Sequence, residues 1–153
     1  FAAEARREER LQERGVQVVY PELLSLEEQL AIYLGADALI LAEGSAQHGL
    51  ELLGFHPHKR VVVICRRLQQ PGMELPLQAR FPQVQFVEAL RQQWMAHGGV
   101  AWNGLAMLNW RHVAEVLNPL ISQPLGIDEC RELTESADKQ FLLLKSQANL
   151  HPF

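Results

Sequence analysis

ALILAEGSAQHGLELLG, residues 38–54, decides the fold. Ala38 to Ala42 is an unbroken apolar run bounded by turn residues, and such a run predicts a strand buried on both faces. Glu43-Gly44-Ser45 interrupts it. An apolar-periodic segment resumes at once and predicts a helix over 45–53, ended by Gly54. Strand, tight loop and helix in immediate succession form the front half of a parallel β–α–β unit.

The same alternation continues in both directions. Upstream, VQVVY (16–20) is β-branched and bounded by Gly15 and Pro21, which predicts a strand. SLEEQ opens a helix with a capping box: Ser25 caps while Glu28 reaches back. Leu26, Leu30, Tyr33 and Leu34 then fall on one helical stripe, the expected buried face. Downstream, RVVVICR (60–66) is a third strand of the buried type, and VQFVE (84–88) is a weaker fourth. Between them, LQQPGMELPLQARFP (68–82) reads as a loop because of its prolines and glycine. Leu90 to Met95 predicts a short helix, HGGVAWNG (97–104) a loop, and LAMLNW (105–110) a last strand. Val113, Val116, Leu117 and Leu120 mark a helix. A long terminal helix is expected over 126–149 with Leu133, Ala137 and Leu144 inward. The first segment, AAEARREERLQERG, is charged almost all round and predicts an exposed helix closed by Gly15.

Regular alternation of short buried strands and amphipathic helices means an α/β fold. The expectation is a Rossmann-like, mainly parallel sheet with helices on both faces over 1–125, and a C-terminal helix over 126–153 that packs on it or extends from it.

The chain has 153 residues, 48% apolar and 21% charged, an ordinary globular composition. A net charge of −4 with no basic stripe argues against nucleic acid as a partner. No apolar run reaches the roughly 18 residues of a membrane span, and no signal peptide is expected. The two cysteines, Cys65 and Cys130, make no metal-ligand spacing and suit a reduced, cytoplasmic chain. The sequence opens with Phe rather than Met, so a portion of a longer protein is expected.

Strand-to-helix loops of a parallel sheet gather at its carboxyl edge, where such folds bind ligands. Glu43-Gly44-Ser45-Ala46 is one of these loops. Gly44 removes a side chain from the approach path, and Ser45 offers a hydroxyl and a cap. N–H groups at the helix start favour an anion such as phosphate. His48 projects from about the same face and can hydrogen-bond a phosphate or a sugar hydroxyl. Arg66, ending a strand at the same edge, can meet a phosphate. Each residue also has a plain structural reading: a turn and cap for Gly44-Ser45, a surface position for His48, a solvated strand end for Arg66. The dinucleotide fingerprint G-x-G-x-x-G and the P-loop are absent. EGSAQ does not supply the G-x-S-x-G of a nucleophile elbow. His56-Pro57-His58 lies at the amino edge, away from the ligand side, and no metal site or cofactor is expected.

Over 18–54 the chain resembles family 61 glycosyltransferases, including bacterial members of the capsular polysaccharide type. The resemblance rests on Pro21-Glu22, Leu24-Ser25, Glu28-Gln29, the Glu43-Gly44-Ser45-Ala46 loop and His48. It implies the C-terminal, donor-binding half of a GT-B-type transferase that moves a sugar from a nucleotide-sugar to a glycan or other acceptor with inversion. It implies no bound metal, a diphosphate facing the helix at Ser45, and Glu22 against the donor nucleoside. By analogy with GT-B enzymes, the catalytic base comes from an N-terminal half outside this chain, so the isolated chain is expected to be inactive. The alternative is a non-catalytic Rossmann-like binding or regulatory module.

Overall fold

The computed structural model describes residues 2–67, 74–96, 104–147 and 150–152. The chain divides into two compact units. One comprises Val19–Cys65 and Gln69–Val87; the other comprises Phe1–Val18, Arg66–Leu68 and Glu88–Phe153. These boundaries differ from the expected 1–125 and 126–153.

The continuous unit holds the parallel sheet. Strands β1 (Ala38–Ala42), β2 (Arg60–Ile64) and β3 (Gln85–Val87) lie in the order β1-β2-β3. Ala38 pairs with Arg60 and Ala42 with Ile64; Val62 pairs with Gln85 and Ile64 with Val87. Helix α2 (Leu26–Gly35) precedes β1, α3 (Ala46–Glu51) joins β1 to β2, and α4 (Glu74–Arg80) precedes β3. Helix α1 (Glu4–Gln12) belongs to the other unit.

Side chains alternate along a strand. Leu39, Leu41, Val61 and Val63 share one face, and they form a single buried cluster with Tyr33, Leu50, Leu53, Leu77 and Phe81. Tyr33 comes from α2, Leu50 and Leu53 from α3 and its exit, and Leu77 and Phe81 from α4 and its exit. All three helices therefore pack on the same face within this unit. Consecutive strands laid side by side with crossovers of one hand put their helices on one side. Val62, Ile64 and Val87 point to the opposite face and are also buried, which accounts for the unbroken apolar run of β2.

The α2 capping box forms as expected. The Glu28 N–H donates to Ser25 Oγ at 3.3 Å, and the Ser25 N–H donates to Glu28 Oε2 at 2.8 Å. The buried face is rotated from the expected stripe. Leu30, Ile32 and Ala36 pack against the core around Tyr33, while Leu26 and Leu34 are exposed. Gly49 of α3 explains the rotation, because a Cβ there would stand 2.9 Å from Tyr33 Cε2. The glycine admits the ring, and the ring sets the face of α2 that turns inward. Lys59, at the entry to β2, closes the C-terminal end of α2: its Nζ donates to the carbonyls of Tyr33 at 2.8 Å and Leu34 at 3.0 Å.

Two expectations fail in or beside this unit. Residues 16–20 form no strand. β-Branched residues favour a strand only where a neighbour supplies the ladder. Residues 74–80 are helical rather than loop, because a proline in the first turn, here Pro76, is tolerated where the N–H has no helical partner. Residues 68–73 of the expected loop lie outside the described residues.

The other unit holds an antiparallel sheet, so a mainly parallel fold is true of only one half of the chain. Strand β4 (Leu90–Ala96) lies between β5 (Leu105–Leu108) and β6 (Leu150–Pro152). Trp94 pairs with Leu105 on one side and with Pro152 on the other. The expected helix at 90–95 is thus the central strand. The expected last strand stops at Leu108, and Asn109 caps a helix instead, α5 (Trp110–Leu117), its Oδ1 accepting the His112 N–H at 3.3 Å. The expected loop at 97–104, Gly104 excepted, lies outside the described residues. Helix α6 (Ile127–Gln147) follows the expected course. Its buried stripe is Cys130, Leu133, Ala137 and Phe141, with Leu144 half-buried. Cys65 and Cys130 are both buried and unbridged.

Helix α1 (Glu4–Gln12) is not the exposed helix that its charges predict. Leu11, Arg7 and Arg14 are buried. Arg10 reaches Glu132 at 2.6 Å, the Arg6 Nε reaches the same carboxylate at 2.9 Å, and Arg14 pairs with Glu129. Gly15 closes the helix with φ +78°, a conformation open to glycine at little cost. No helix among the described residues is long and apolar enough to cross a membrane.

These pairs give the protein an acid limb. The Gly126 N–H and Arg14 hold the Glu129 carboxyl below its ordinary 4.5. Arg6 and Arg10 do the same for Glu132. A carboxyl depressed in the folded state adds stability that is complete above its unfolded value and lost as pH falls through the folded value. Thermal unfolding should therefore show a falling midpoint below about pH 4.5. The Glu129→Gln/Glu132→Gln double variant should start lower at pH 7 and lose less between pH 5 and pH 3. Parallel curves for the two proteins would remove these carboxyls from the acid limb.

Candidate functional site

The loop after β1 leaves the sheet at its carboxyl edge. The Glu43 N–H donates to the Ile64 carbonyl at 2.9 Å, which extends the β1–β2 ladder by one residue, and Glu43 is 5% exposed. The chain then turns through Gly44 and Ser45 into α3.

Gly44 has no left-handed backbone, and a Cβ there would meet only the Ala42 carbonyl, at 3.9 Å. The turn itself therefore does not require glycine, contrary to expectation. What glycine leaves is open space above the loop. Ser45 stands at the cap position with φ −61° and ψ −25°, and its side chain makes no capping hydrogen bond. With a helical backbone at that position the hydroxyl does not fold back on the first turn. The N–H groups it would have capped are taken by carbonyls: Gln47 donates to Gly44 at 3.2 Å and His48 to Ser45 at 3.0 Å. Among the described residues, the N–H groups of Gly44, Ser45 and Ala46 and the Ser45 hydroxyl make no hydrogen bond. The loop thus presents three backbone donors and a hydroxyl.

His48 is exposed, and its Nδ1 lies 2.7 Å from Glu51 Oε1, one turn further along α3. The imidazole is thus held through Nδ1 by a carboxylate on its own helix. Glu51 was readable as its partner from the i, i+3 spacing alone. The buried side chain of that first turn is Gln47, 3% exposed, which no sequence signal marked.

The other expected contacts come from other segments of the chain. Glu22 is exposed in a short 3-10 turn, Pro21–Leu23. Residues 16–20 before it form no strand, so Glu22 does not leave a sheet edge as expected. Arg66 is half-exposed two residues beyond β2 and groups with the other unit. The structure thus carries Glu43, Gly44, Ser45, Ala46 and His48 on one loop and its helix, with Glu22 in the separate turn Pro21–Leu23. Among the described residues, no group of three or more His, Cys, Asp or Glu side chains is placed to hold a metal ion. Comparison with known protein families, with curated proteins and with solved structures gives no match.

Proposed function

We propose that the loop 43–46 holds the diphosphate of a nucleotide-activated sugar, and that the chain is the donor-binding half of an inverting glycosyltransferase. The observation that carries the reading is the set of uncommitted N–H groups on Gly44, Ser45 and Ala46, at the carboxyl edge of a parallel sheet. Ligands of open α/β sheets bind outside the carboxyl ends of the strands. Successive backbone N–H groups in a turn make an anion-binding concavity. The Ser45 hydroxyl adds a fourth donor, and the absent side chain of Gly44 lets phosphate oxygens approach the backbone. As the sugar departs, charge grows on the leaving diphosphate, and donors fixed beforehand stabilise it most at that moment. His48, oriented by Glu51, offers its other ring nitrogen to a phosphate oxygen or a sugar hydroxyl. The acceptor is a glycan hydroxyl, and the base that activates it belongs to a preceding half. A half-cleft cannot orient both substrates, so the chain alone turns over little.

Ligand-observed NMR with UDP, GDP, CDP and ADP tests the reading. One diphosphate should bind at about 1 mM, roughly −4 kcal/mol. A Cβ at position 44 meets only ordinary contact, so Gly44→Leu should fill the space above the loop and abolish binding while the amide spectrum stays folded. His48→Ala should weaken binding by only about threefold, the loss of one exposed hydrogen bond. Absence of binding to any diphosphate at 10 mM would remove the donor-half reading.

A further inference from the structure

We draw no further inference here: the strongest candidate, the apolar surface patch formed by Leu23 in the turn before α2 and by Leu26 and Leu34 along that helix, each more than half exposed, carries nothing because nothing in the structure shows what covers it.

Discussion

Phe81→Ala should cost about 3–5 kcal/mol, the range for emptying a buried aromatic site. Phe81 is fully buried at the exit of α4. It shares one cluster with Leu39, Leu41, Val61 and Val63 of the sheet and with Leu50 and Leu77 of the covering helices. Its ring also stacks on His56, with centroids 6.0 Å apart and planes 10° from parallel. The side chain is therefore common to two crossovers, and no single neighbour can move to fill its place. The loss is a large share of the about 5–15 kcal/mol that holds a typical domain folded. Urea unfolding followed by amide exchange of β1, β2 and β3 should show the midpoint fall and protection collapse across all three strands together. Loss of protection in β3 alone would mean that Phe81 pins one strand rather than the cluster.

The second large effect is expected at Gly104. A Cβ there would stand 2.8 Å from the Trp94 backbone carbonyl and 3.1 Å from both Cγ and Nε2 of Gln93. The nearest obstacle is main chain, fixed by the pairing of Trp94 with Leu105 and of Gln93 with Ala106, so it cannot swing aside. Gly104→Ala should cost about 1–3 kcal/mol through overpacking, and Gly104→Val more. Exchange at β4 and β5 should report the opening, while β1 and β2 keep their protection. An alanine variant as stable as the parent would show that the end of β5 gives way freely.

The parallel half of the fold was legible because its signals are local. The strands 38–42 and 60–64 are continuous apolar runs between turn residues, and Ser25 and Glu28 sit three positions apart, as a capping box requires. What stayed hidden depends on distant partners. LRQQWMA, from Leu90 to Ala96, is made largely of helix formers. It becomes a strand because β5 and β6 flank it, and the second of these lies more than fifty residues away. VQVVY has strand propensity, yet residues 16–20 join no ladder among the described residues. The arginines of α1 look like a solvated face until Glu129 and Glu132 arrive from the other end of the chain. At the candidate site, the loop and its place at the sheet edge could be read. The idleness of the Ser45 hydroxyl could not, since it follows from two backbone angles. Nor could the place of Glu22 in a 3-10 turn rather than at a sheet edge, which follows from a strand that does not form.

The pairing of α1 with α6 bears on the order in which the molecule comes to exist. Arg6 and Glu132 are separated by 126 positions, and the unit they join is interrupted by the whole of the parallel unit between them. During synthesis from the N-terminus, at about 5–20 residues per second, residues 19–87 emerge as a complete set of strands and crossovers. The first helix leaves the ribosome earlier still, yet its partner carboxylates are among the later residues made. For several seconds the nascent chain carries an arginine helix still without its distant carboxylates, tethered to a middle that can already close its core.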